Sequence, residues 1–306
     1  MIRPVNFSFN AETAVNNAFQ VAGADKDAQA RALKEFNDFA RLLLENNVDV
    51  TIVDDTPQPF TPDSIFPNNW VSFHRDGAVC LYPMYAVNRR LERKPGVLDV
   101  IGQKFRIDTT LDFSGYESED RFLEGTGSMV LDRELRIAYA CLSPRTDPNV
   151  LLDWCQKMGY TAEVFTAVDG AGHPIYHTNV MLCVADLYVV VCLDALPVLT
   201  ERHHLEAVIH STGKTIIPIT PDQMNHFAGN MLQVESREGE KLLVMSSQAY
   251  ESLTAAQIEQ LETFNRILHS PLTTIETNGG GSARCMLAEI HLRPLQESDP
   301  LIAFPR

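Results

Sequence analysis

Apolar positions along this chain switch between two periods, 3.6 and 2, and the switching itself recurs. Apolar residues at helical spacing over 26–47 give way to a β-rich run at 48–53, a polar loop, and two strands at 70–74 and 78–84 around the turn Arg75-Asp76-Gly77. The same order returns with a weaker helical pattern at 90–104, a poor strand after it, and strands at 129–131 and 136–140. A third unit takes a helix at 149–158, a strand at 161–165 and the pair 180–184 and 187–193. The fourth takes 201–211, 215–219, 231–235 and 241–245. The fifth takes a helix at 254–269 and strands at 272–276 and 286–292, and lacks a clear final strand. The alternating segment 5–9 is expected to supply that strand from the other end, which closes a ring and leaves no open sheet edge. The expected fold is therefore α/β: one domain over 1–306, built as a five-fold pseudosymmetric ring of strand-strand-helix-strand units.

One polar or nucleophilic residue stands at the entrance to each strand pair: Asn69, Ser128, Asn179, Asn230 and Cys285, at intervals of 59, 51, 51 and 55 residues. In a radial arrangement, equivalent positions face one central channel, so these side chains converge although they are far apart in sequence.

Composition narrows what such a channel does. The chain has 45% hydrophobic and 21% charged residues and a formal charge of −15, a field that repels phosphate backbones and anionic lipid surfaces. Nucleic acid is not an expected partner. The first residues lack the apolar stretch of a signal peptide, and nowhere do apolar residues run to the roughly 20 that a membrane span needs. A cytoplasmic location is expected, and a homo-oligomer is left open. Six cysteines without CxxC spacing indicate neither a disulfide framework nor a metal site, and no cofactor is expected.

Cys285 differs from the other five in following Gly279, Gly280 and Gly281, whose backbone freedom suits the presentation of a nucleophile. A thiol attacks as thiolate, so a base or positive charge nearby is expected. Of nine histidines, His177 lies two residues from a channel-facing position and fits a general acid or base. Glu124, followed by Gly125 and Gly127, can hydrogen-bond that histidine or a substrate N–H. Asn68 and Asn69 offer neutral amides, each with a donor and an acceptor. Arg89 and Arg145, after the first and second strand pairs, carry forks suited to a carboxylate.

Together these residues resemble the arginine deiminase superfamily, the penteins or guanidino-modifying enzymes, whose fold is a five-unit α/β propeller. Members carry a Phe-x-x-Asp strand entry, a Glu-Gly-Gly segment, a His and a late Cys behind glycines, similar to 66–69, 124–127, His177 and 279–285 here. The resemblance implies that Arg89 and Arg145 grip a substrate α-carboxylate and that Asp63 contacts its α-amino end. It further implies Cys285 as nucleophile, His177 as acid and base, and Glu124 as the group that orients His177 or the substrate.

Two departures sharpen the expectation. Deiminases place an Asp against the guanidinium where this chain has Asn69, and several have His-x-Asp where it has His177-Thr178-Asn179. A carboxylate suits a cationic guanidinium, whereas an amide N–H suits a neutral urea oxygen. The best match is the citrulline-utilisation branch: hydrolysis of L-citrulline to ornithine, ammonia and carbon dioxide. Arginine or methylated arginine as substrate, amidino transfer, and a non-catalytic binding propeller are the alternatives. Loops 116–120 and 169–174 are candidate mobile segments.

Overall fold

The computed structural model describes residues 1–21 and 27–296. Its sheets follow one rule. In each of four three-stranded sheets, two antiparallel strands form a hairpin, and a third strand returns beside the middle one in parallel after a helical crossover. The sheets are β3–β4–β5 (Val71–Phe73, Ala78–Leu81, Thr109–Asp112), β6–β7–β8 (Val130–Asp132, Ile137–Cys141, Thr161–Phe165), β9–β10–β11 (Leu182–Val184, Tyr188–Val191, Thr215–Pro218) and β12–β13–β14 (Leu232–Glu235, Lys241–Ser246, Arg266–Ser270). The fifth unit repeats only the parallel half: β1 (Ile2–Arg3) pairs with β2 (Val53–Asp54), with helix Ala28–Glu45 between them.

The middle strands carry the core. Tyr188, Val189, Val190 and Val191 are all fully buried, as expected for an apolar run covered on both faces. Helix Pro148–Met158 shows why the outer layer forms where it does. Pro148 opens it, the Asp147 side chain accepts from the N–H groups of Asn149 and Val150, and Gly159 at φ 70° ends it. Its apolar face, Val150, Leu151, Trp154 and Met158, packs with Ala138 and Ala140 of β7. Among the described residues no helix is long and apolar enough to cross a membrane.

Several expected elements come out differently, each for a local reason. The helical pattern at 90–104 divides into Val87–Arg90 and Pro95–Gly102, because Pro95 starts a new helix. The helix expected over 254–269 stops at Glu262, and Arg266–Ser270 pairs with β13 as a strand. The strand expected at 272–276 is instead helix Thr273–Gly279. There the Glu35 carboxylate, from a distant helix, accepts from the N–H groups of Thr274 and Ile275 and caps the turn. Segment 286–292 forms one bridge, Ile290 to Phe73, rather than a regular strand. Segment 5–9 is no strand either: the Phe7 N–H donates to the Gln29 side chain, and the N-terminal strand is Ile2–Arg3. Of the run at 48–53 only Val53 pairs, since β1 offers two residues. The first residue of the expected helix at 26–47 lies outside the described residues, and the helix runs from Ala28 to Glu45.

Short turns precede three of the inner strands, at Pro67–Asn69, Gly125–Ser128 and Thr178–Val180, and a fourth, Ala283–Met286, precedes the bridged segment 286–292. The first packs against the second and the fourth, and the second against the third. Asn230 joins the remaining gap, its Nδ2 donating both to the Asn179 carbonyl at 3.0 Å and to Cys285 Sγ at 3.2 Å. The five equivalent positions thus meet around one centre.

Candidate active site

Cys285 is 3% exposed and sits on the turn that follows the glycine run. Gly280 makes that run necessary: at φ 65° it ends helix Thr273–Gly279 in the left-handed region, and a Cβ there would lie 2.5 Å from Asn17 Nδ2. Two amides aim N–H groups at the sulfur, Asn230 at 3.2 Å and Asn179 at 3.5 Å. Such donors are what a thiolate accepts from.

His177 and Glu124 form the second part. The imidazole Nε2 lies 2.7 Å from Glu124 Oε2, and both residues are buried. The other carboxylate oxygen, Oε1, accepts from the Tyr85 N–H at 2.9 Å, and Arg145 Nη1 stands 3.5 Å from Oε2. Burial by itself raises a carboxyl pKa, but Arg145 and the bond to His177 outweigh it and hold Glu124 well below the usual carboxylate range. Burial pushes His177 down to about 4 despite its carboxylate partner. At neutral pH the pair is therefore an ionised Glu124 and a neutral imidazole whose Nε2–H donates to it, which leaves Nδ1 as a base.

The depressed imidazole has a stability consequence. A histidine held neutral by folding takes up its proton more readily when unfolded, so stability is full above about pH 6.5 and falls as pH drops toward the folded value. His177 shares this behaviour with His74, which burial lowers to about 3. By pH 5 each is expected to remove about 2 kcal/mol. Denaturant unfolding between pH 7.5 and 5 measures the slope, and His177→Gln should reduce the destabilisation at pH 5 by about 2 kcal/mol.

The third part is the amide of Asn69. Its Oδ1 accepts from Arg89 Nη1 at 2.9 Å, and a guanidinium only donates, so the amide oxygen is fixed toward Arg89. Its Nδ2 is buried without a partner among the described residues. That nitrogen and the His177 ring both crowd Gly127: a Cβ there would lie 2.4 Å from Asn69 Nδ2 and 2.8 Å from His177 Nδ1.

Arg89 is thereby committed differently from expectation. Its Nε and Nη2 bind Glu92 at 2.8 and 3.0 Å, and Nη2 also donates to the Phe66 carbonyl. Its fork clamps Asn69 and Glu92, whereas that of Arg145 reaches Asn16 and Thr13 of the N-terminal segment. Asp63 accepts from Asn10 Nδ2 at 2.7 Å and Thr13 Oγ1 at 3.2 Å, and burial pushes its pKa up. Asn69, Arg89, Arg145, His177 and Cys285 line one recess with Asp63. Asn68 does not line it. Its amide is buried with neither polar atom bonded among the described residues, and its carbonyl accepts from Thr126. Sequence reasoning noted Asn230 only as an equivalent position, and passed over Glu92, Tyr176 and residues 10–21. The three-residue spacing from Arg89 was the available sign of Glu92.

Comparison with known proteins completes the picture. A family model described as N,N dimethylarginine dimethylhydrolase, eukaryotic, matches residues 3–292. The chain belongs to this family. It lies within the pentein superfamily of arginine-modifying enzymes, and the neighbours it matches are hydrolases acting on carbon–nitrogen bonds of guanidino groups. The repeated sheets are accordingly those of a pentein propeller. Among solved structures, ArgZ, an arginine dihydrolase from the ornithine-ammonia cycle in Cyanobacteria, superposes with a TM-score of 0.74 at 19% identity over 94% of this chain. AgrE in complex with L-arginine gives 0.74 at 20% identity over 99%. This chain spans 39% of the ArgZ chain and 41% of the AgrE chain. A dimethylarginine dimethylaminohydrolase adduct with S-methyl-L-thiocitrulline gives 0.64 at 14% identity, covering 93% of this chain and 96% of that one. No curated protein matches the sequence.

Proposed function

We propose that this chain hydrolyses the ureido group of L-citrulline to ornithine, ammonia and carbon dioxide. The observation that carries the reading is the orientation of Asn69. Arg89 fixes its oxygen, so the site presents an N–H beside His177 to whatever occupies the recess. A urea oxygen accepts that bond, whereas a guanidinium, bearing only N–H groups, opposes it. The amides on the sulfur, Asn179 and Asn230, are also neutral, and the carboxylate beside His177, Glu124, already serves His177 and Arg145.

In this scheme Cys285 attacks the ureido carbon, forming the S–C bond of a carbamoyl thioester while the bond to the ornithine nitrogen breaks. The thiol proton passes through His177 to the departing amine. Water activated by the same imidazole then displaces the sulfur, and the released carbamic acid decomposes to ammonia and carbon dioxide. Glu124 holds His177 in the tautomer that leaves Nδ1 free. Arg145 and Asp63 receive the substrate α-carboxylate and α-ammonium, and Arg89 acts on the ureido end through Asn69. The family description favours the second reading, arginine or methylated arginine as substrate.

Incubation with citrulline, arginine, dimethylarginine and agmatine, reading ornithine, citrulline and ammonia, separates these. Ornithine from citrulline is expected. Citrulline accumulating from arginine, with citrulline itself inert, removes the ureido reading. Asn69→Asp, which replaces the N–H by an acceptor facing an acceptor, is expected to lower kcat/KM for citrulline by about a hundred-fold. The loss for arginine should be smaller, so the ratio of the two kcat/KM values is the measurement.

A further inference from the structure

Residues 10–21 lie across the recess, and their contacts fall on the two groups assigned above to the substrate's head. The Asn16 amide oxygen accepts from both arms of the Arg145 fork, from Nε at 2.9 Å and from Nη2, and the Thr13 carbonyl accepts from Nη2 at 2.7 Å. One amide oxygen and one backbone carbonyl thus occupy the Nε–Nη2 edge of the guanidinium, the edge on which a carboxylate would dock. On the other side, Asn10 Nδ2 and Thr13 Oγ1 donate to Asp63 Oδ2, the place of an ammonium. The free space left in the recess is about 10 Å³, about one water.

We propose that residues 10–21 form a substrate-mimicking strap: Asn16 stands in for the α-carboxylate on Arg145, and Asn10 with Thr13 for the α-ammonium on Asp63. The proposal rests on the assignment of Arg145 and Asp63 to the head of an amino acid. The strap is seated on the nucleophile's own loop, through Asn17 to the Gly280 carbonyl, Gln20 to the Asn278 carbonyl and the Val21 N–H to the Thr277 carbonyl. Phe19 anchors it against Tyr176 and Phe227, with ring centroids at 6.2 and 4.9 Å. On its far side is a cavity of about 860 Å³ that Asn17 and Tyr176 also border, which gives an incoming ligand room to wait.

Specificity follows from the exchange. A ligand that lifts the strap strips Arg145 of Asn16 and Thr13 and Asp63 of Asn10 and Thr13, leaving only the longer contacts to Glu124 at 3.5 Å and Arg89 at 3.8 Å, so a zwitterionic α-amino acid restores what it displaces. An amine lacking the carboxylate does not. The closed strap lowers apparent affinity by the fraction of time the site is shut.

The test reads the strap without a substrate. Purified protein is treated with iodoacetamide, and alkylation of the Cys285 peptide is followed by mass spectrometry. Asn16→Ala, which frees the fork, is expected to speed alkylation about ten-fold, and Asn16→Asp, which gives Arg145 a true carboxylate, to slow it about as much. Phe19→Ala, which removes the anchor, should act like Asn16→Ala, and a thermal melt of each variant checks the fold. Asn16→Ala should also lower KM for citrulline, whereas loss of a residue that only binds substrate raises it. Equal alkylation rates in wild type and the three variants overturn the strap. Shifted rates with no protection of Cys285 by citrulline or arginine leave the strap standing and remove the substrate assignment instead.

Discussion

Cys285→Ala is expected to reduce ornithine release by roughly four orders of magnitude or more while the protein keeps its fold. Removing a nucleophile that forms a covalent intermediate eliminates the route itself, and the remaining groups cannot substitute for it. The fold survives because the side chain lost is small. What is left unpaired are two amide N–H groups, from Asn179 and Asn230. Asn230 keeps its bond to the Asn179 carbonyl, and its oxygen keeps that from the Arg284 N–H. A stability loss of about 1–3 kcal/mol is expected from the orphaned donors, visible in a thermal melt. Full turnover in Cys285→Ala, measured by ornithine and ammonia release, would exclude a covalent mechanism.

Gly127→Ala is the second large effect, and a subtler one. The backbone of Gly127 lies outside the left-handed region, so an alanine there is not strained in itself. The space is what fails: its Cβ would lie 2.4 Å from Asn69 Nδ2 and 2.8–2.9 Å from the His177 ring. Both neighbours are held from behind, Asn69 by Arg89 and His177 by Glu124, so one of those bonds must give. A displacement of about 1 Å in a catalytic group costs on the order of a hundred-fold in rate. We expect kcat to fall by about that factor and stability by about 1–3 kcal/mol. Gly96→Ala is the control, since nothing lies within 4 Å of its Cβ and it sits within helix Pro95–Gly102. Wild-type kcat in Gly127→Ala would show that Asn69 and His177 do not act together.

The contrast between what the sequence announced and what it hid follows from where the information resides. Helix Pro148–Met158 and strand Thr161–Phe165 were legible because caps, glycine and period all lie within the segment. The convergence of Asn69, Ser128, Asn179, Asn230 and Cys285 was legible because it repeats. Helix Thr273–Gly279 was not, since its first N–H groups are satisfied by Glu35, more than 200 residues away. The same limit applies in the site. An arginine beside a strand pair shows that a fork is present, but whether it takes a ligand or a neighbour depends on Glu92 in one case and on residues 13–16 in the other. Side-chain commitments of this kind carry no period and no motif, so only the folded chain reveals them.

The spacing of the converging turns also fixes an order of events. Glu124 and His177 are 53 residues apart, but Asn179 and Cys285 are 106 apart, and Asn17 meets Gly280 across 263. Contacts that close such long loops form late, and chains are made from the N-terminus onward. A growing chain therefore holds its acid and base before it owns a nucleophile, and its first residues wait for almost the last to seat them. On the proposed mechanism, turnover then requires the complete circle of units, and a product truncated before Cys285 is expected to be inert.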